Sequence, residues 1–114
     1  MSDIALKYDL QKVLDEVKIK MNEVYGDDLD KIILYGSYAR GDYKDESDID
    51  IMVLVKCGEE DIKKLRKRYI SAGSALCLEY DVEISTLVYN LDYFDCWKKS
   101  MPLFKNIVKE GIRV

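Results

Sequence analysis

The chain has 114 residues, a formal net charge of −4, 48% hydrophobic and 35% charged residues, and no histidine. Its length suits one domain with a modest core, its composition excludes disorder, and the lack of histidine excludes Ser-His-Asp, Cys-His and histidine-ligated metal chemistry. No apolar run approaches the ~18–20 residues of a membrane span and MSDIALKYDL lacks a secretory-signal layout, so a cytoplasmic location without membrane contact is expected.

In chain order, Leu6, Leu10, Val13, Leu14, Val17, Met21 and Val24 recur at steps of three and four, which predicts an amphipathic helix ending near Gly26. KIILY (31–35) reads as a short buried strand, followed by Gly36-Ser37 and a polar turn through Ser47. Residues 48–56 read as a second strand, broken by Gly58. Ile62, Leu65, Tyr69, Ala72 and Leu76 then mark a long helix. Its basic run KKLRKR (63–68) is expected to spread around the axis as a solvated face, and the acidic chain as a whole makes direct nucleic-acid binding an unexpected role. YDVEISTLV (80–88) reads as a third strand. Asn90 is placed to cap a short helix carrying Phe94 and Trp97, and Pro102 to start a last helix closed near Gly111. The order predicts an α/β domain, a small mixed β-sheet covered by helices. Cys57, Cys77 and Cys96 are odd in number, far apart and without a CxxC, so buried free thiols are expected.

The stretch GSYARGDYKDESDIDIMVLV holds the chemistry. Side chains at i and i+2 of a strand share a face, so Asp48 and Asp50 point one way and Ile49, Ile51, Val53 and Val55 the other, into a core. Two carboxylates about 5 Å apart repel by about 3 kcal/mol at an effective dielectric near 20. A hard divalent cation, Mg²⁺ or Mn²⁺, would relieve that; a bare DxD also fits a turn whose carboxylates cap backbone amides. Gly36 permits a sharp turn after the strand. Ser37 brings a hydroxyl and an amide at the start of a short helix, a group suited to phosphate oxygens. Arg40 adds a fixed positive charge.

Gly36-Ser37, ten residues, then Asp48-Ile49-Asp50 resembles the GS-x10-DxD signature of the DNA polymerase β nucleotidyltransferase superfamily, and GSYARGDYKDESDIDIMV resembles its minimal nucleotidyltransferases. The resemblance covers most of the chain and implies a polymerase β-like fold, with residues 1–114 as a single minimal nucleotidyltransferase domain. It implies transfer of AMP from ATP to an acceptor, with release of pyrophosphate and two Mg²⁺ ions (or Mn²⁺) held by three carboxylates. Asp48 and Asp50 match two of these. For the third, EYDVEIS offers Asp81 and Glu83, placed on one face by strand alternation, with Asp81 preferred as nearer the strand mouth and Glu83 as the alternative. Gly36, Ser37 and Arg40 would bind the nucleotide.

Few residues follow the third strand, so the acceptor is expected from outside. The resemblance points to a HEPN toxin, with this chain as the antitoxin that adenylylates a tyrosine of its partner. Two other readings stand beside it: a non-catalytic module that neutralises a toxin by binding, and a small-molecule (antibiotic) nucleotidyltransferase whose pocket a homo-oligomer completes.

Overall fold

The computed structural model describes residues 9–44 and 46–114, so the expected start of the first helix at Leu6 lies outside the described residues. Helix α1 (Leu10–Tyr25) is capped by Asp9, whose Oδ1 accepts from Lys12 N at 3.3 Å, and is closed by Gly26 at φ 55°. It leads through a 3₁₀ turn (Gly26–Asp28) to strand β1 (Leu29–Tyr35). One helical turn, α2 (Ser37–Arg40), precedes β2 (Ile49–Val55). Then follow α3 (Glu59–Lys64), α4 (Arg66–Tyr80), β3 (Ile84–Asn90), α5 (Leu91–Trp97), α6 (Pro102–Glu110) and β4 (Ile112–Arg113).

The four strands form one mixed sheet in the order β3-β2-β1-β4. β1 runs antiparallel to both β2 and β4, and β2 runs parallel to β3. The parallel pair is joined by the α3–α4 crossover, as parallel strands require. One face of the sheet (Ile49, Ile51, Val53, Val55) packs on Val13, Val17 and Met21 of α1 and on Leu76 of α4. The other (Met52, Leu54) packs on Phe94 of α5 and on Phe104 and Ile107 of α6. The sheet is thus sandwiched between two helical layers, and Ile51–Val55 are fully buried, which explains their unbroken apolar run. Among the described residues no helix is long and apolar enough to cross a membrane.

Three expectations need correction, and one strand, β4, is not among the expected elements. The single long helix is two, bent at Leu65 (φ −89°, ψ 0°), where Arg68 N bonds Leu65 O at 3.0 Å. Ile62, Leu65 and Tyr69 all rest on the core, as their spacing of three and four requires. The third strand begins at Ile84 rather than Tyr80: Tyr80 is the last residue of α4, and Asp81 ends that helix in the left-handed region (φ 52°, ψ 50°), its N–H bonding Cys77 O. Asp tolerates that conformation, so it ends the helix without a glycine. β4 carried too short a pattern to be read. Of the three free thiols only Cys57 is buried; Cys77 is half-buried and Cys96 exposed. Asn90, whose Oδ1 accepts from Tyr93 N at 3.0 Å, and Pro102 start their helices as expected.

Candidate functional site

The site lies where β1 leaves the sheet and β2 enters it. Tyr35, the last residue of β1, pairs across the sheet with Asp50. Gly36 follows with φ 76° and ψ −154°, a region open in practice only to glycine. Its carbonyl accepts from Ala39 N (3.1 Å) and Arg40 N (3.0 Å), and Ser37 O accepts from Gly41 N (2.9 Å) and Asp42 N (3.2 Å). GSYARG is therefore one helical turn hung between two left-handed glycines, Gly41 having φ 88°. The Asp50 carboxylate rests on the bare face of Gly36: a Cβ there would run into Asp50 Oδ2 and come within 3.2 Å of its Cγ. Glycine is needed at this position for both backbone and space.

Asp50 is half-buried and Asp48 exposed. Both stand at the entrance to β2, on the face covered further along by α5 and α6. The Asp50 carboxyl is held above the usual carboxylate range by burial first and then by the charge of Asp48, with Arg40 opposing the shift. Burial, with the Asp50 charge and Tyr89 behind it, pushes the Tyr35 phenol up to about 12, which keeps a neutral hydroxyl beside the carboxylate. The site is short of positive charge. Its donors, two carboxylates, suit a hard divalent cation, and Mg²⁺ commonly takes one or two carboxylates with waters and substrate phosphates completing the shell. Among the described residues no three Asp, Glu, Cys or His side chains stand close enough together to hold an ion without such help.

The structure brings Gly36, Ser37, Asp48 and Asp50 to one end of the sheet and treats the other expected residues differently. Asp81 does not lie in a strand, so the alternation that would set it on one face with Glu83 does not apply to it. Glu83 is adjacent to β2: its carbonyl accepts from Ile49 N at 2.9 Å, and it precedes the first registered pair, Ile49 with Ile84, as Asp48 does. Arg40 is engaged elsewhere, its Nε with Asp42 Oδ2 at 3.3 Å and its Nη1 with Glu110 Oε1 at 3.0 Å. Two residues escaped sequence reasoning. Ser85 sits opposite Asp50 in register, which strand alternation finds once the pairing is known. Glu110 reaches Arg40 from the end of α6, seventy residues away, with no local signal.

The nucleotidyltransferase domain family matches residues 10–113. Two relatives from Methanocaldococcus jannaschii, each bearing the name "Putative protein adenylyltransferase", are similar to the chain. One is 41% identical over 78 residues (68% of this chain, 77% of the relative). The other is 35% identical over 101 residues (89% and 93%). Among solved structures, a toxin–antitoxin with AMP-PNP superposes with a TM-score of 0.52 at 22% identity, over 87% of this chain and 70% of that one. A mutant form of the toxin–antitoxin MntA-HpeT gives 0.51 at 19%, over 93% and 72%. The likeness to these two lies in the fold.

Proposed function

The chain belongs to the nucleotidyltransferase domain family, and on that premise we propose that it transfers AMP from ATP to a hydroxyl of a partner protein, a tyrosine of a HEPN toxin, and so acts as the antitoxin. The observation that carries the reading is the seating of the Asp50 carboxylate on Gly36, which sets the phosphate-binding turn and the paired carboxylates side by side. The names of the two relatives support a protein acceptor, and the toxin–antitoxin neighbours support the choice of partner.

In this reading Asp48 and Asp50 would hold Mg²⁺ with phosphate oxygens and water completing the shell, and Glu83, which adjoins Asp48 across the parallel pair, is preferred as a further carboxylate to Asp81, which lies outside the strands. The bound ions would lower the barrier by neutralising phosphate charge and lowering the pKa of the acceptor oxygen. The chain's own residues position the reactants. The Ser37 hydroxyl and amide, at the start of α2, would face the terminal phosphates. The half-buried Asp50 and neutral Tyr35 form the inner wall. The exposed rim at Asp48 leaves the acceptor free to enter from outside. The acceptor oxygen bonds to the α-phosphorus, the bond to the β-phosphate bridge breaks, pyrophosphate leaves and the hydroxyl proton passes to solvent. Arg40 would reach a phosphate by releasing Asp42 and Glu110.

The test is mass spectrometry of the toxin after incubation with the chain, ATP and Mg²⁺. Additions of AMP mass are expected with the wild type and none with Asp48→Asn. Protection from the toxin without modification, equal in wild type and Asp48→Asn, would replace the enzyme reading with neutralisation by binding.

A further inference from the structure

The exposed basic run KKLRKR divides between helix faces: Lys67 and Arg68 lie toward Lys20 and Glu23 of α1, and Lys63 and Arg66 lie on another face. Lys63, at the end of α3, and Arg66, at the start of α4, are three residues apart and keep to one face across the bend at Leu65, where both line one cavity of about 420 Å³. That volume falls within the range of small-molecule sites. Tyr69, Tyr89 and Tyr93 supply aromatic walls, and Glu59 the single carboxylate. Glu59 is 3.7 Å from Lys63, whereas Arg66 has no carboxylate partner among the described residues, so the lining carries a net positive charge.

The walls are fixed by the core and by hydrogen bonds. The Tyr89 and Tyr93 rings lie nearly parallel (6°, centroids 5.9 Å apart), and both stand edge-on to buried Phe104, at 80° and 86°. Asn90 between them donates from Nδ2 to Cys57 O (2.9 Å) and accepts at Oδ1 from Tyr93 N (3.0 Å), locking the end of β3 to the turn after β2 and to the start of α5. The cavity lies at the carboxyl ends of the parallel strands β2 and β3, where open α/β sheets hold ligands. The Asp48–Asp50 pair stands at the opposite end. Tyr89 pairs with Leu54, four residues beyond Asp50, or about 13 Å along the strand.

Ordered rings with exposed surface suit a planar π-system, and two cations against one carboxylate suit an anion. We propose that this cavity is a second, metal-independent binding site for a small anion carrying a planar ring, of the nucleoside monophosphate class. Arg66 and Lys63 take the phosphate, and Tyr89 and Tyr93 stack on the base. This site is independent of the carboxylate centre and stands whether or not the chain modifies a toxin.

The experiment is titration of AMP, adenosine and inorganic phosphate in EDTA, followed by calorimetry and by amide shifts, on the wild type, Lys63→Gln, Arg66→Gln, Tyr93→Leu and Asp50→Asn. Arg66 and Tyr93 are exposed, so these variants keep the core intact, and amide spectra check it. AMP is expected to bind with shifts at Tyr69, Tyr89 and Tyr93, and Arg66→Gln to weaken it at least about tenfold, the loss of one charge-assisted hydrogen bond. Adenosine alone should bind more weakly, and Asp50→Asn should leave the affinity unchanged. The proposal is overturned if AMP fails to bind up to about 10 mM, if Arg66→Gln and Lys63→Gln have no effect, or if Asp50→Asn abolishes binding. Phosphate binding as tightly as AMP would remove the nucleoside from the assignment.

Discussion

Replacing Gly36 by alanine tests the geometry on which the carboxylate site rests. The perturbation has two parts. The backbone at φ 76°, ψ −154° lies outside the range of L-residues, which costs about 1–3 kcal/mol. The new Cβ also collides with Asp50 Oδ2, so the carboxylate must leave its rotamer, at about 0.5–1.5 kcal/mol. The expected total is about 3 kcal/mol, or roughly a 12 °C fall in Tm for a chain of this size. Gly41→Ala is the control: it too has positive φ (88°), but a Cβ there meets nothing within 4 Å, so about 1 kcal/mol is expected. A double-mutant cycle isolates the collision. In an Asp50→Ala background the carboxylate is gone, and Gly36→Ala should cost less by about 1 kcal/mol. The assay is thermal and urea unfolding followed by circular dichroism on the four Gly36/Asp50 combinations and on Gly41→Ala. If Gly36→Ala costs no more than Gly41→Ala and the same with or without the Asp50 carboxylate, then Asp50 does not rest on Gly36 and the proposed arrangement of turn and carboxylates is wrong.

Asp50→Asn should raise stability at neutral pH by about 1–3 kcal/mol, the repulsion of two carboxylates ~5 Å apart at effective dielectrics of about 80 to 20. Because the folded-state pKa of Asp50 is raised, the folded state binds the proton more readily, so wild-type stability falls as pH rises through the window just above the ordinary carboxylate pKa. Urea unfolding across that window should show this slope flattened in Asp50→Asn, together with weaker Mn²⁺ binding. Comparing Glu83→Gln with Asp81→Asn should show the first abolishing AMP transfer and the second leaving at least about half of it; the reverse result would return the third carboxylate to Asp81. Glu110→Gln should tighten ATP binding about two- to fivefold by releasing Arg40 Nη1, its Nε staying with Asp42 in the free chain. In an Arg40→Gln background most of that gain should vanish, and a gain of the same size there would show that Glu110 acts by long-range charge alone.

Periodicity and spacing by themselves determined much of this protein. Strand alternation separated Asp48 and Asp50 from Ile49, Ile51, Val53 and Val55, because side-chain direction in a strand is a local property of the backbone. Apolar spacing, Asn90 and Pro102 marked the helices, and Gly36 announced a turn that only glycine can make, since these signals too act within a few residues of chain. What tertiary structure alone decided involved residues that meet across long stretches or depend on a conformation without a sequence mark. Tyr80 and Asp81 read as strand by pattern, but a left-handed Asp ends α4 there, and the register of the parallel pair brings Glu83 and Ser85 beside the aspartates instead. Lys63 and Arg66 share a helix face by their spacing, but only the packing of that face against the sheet edge sets them beside tyrosines from β3 and α5. Arg40, a free cation in sequence, is held by Glu110, because packing of α6 and β4 against β1 brings together two charges that no local rule relates.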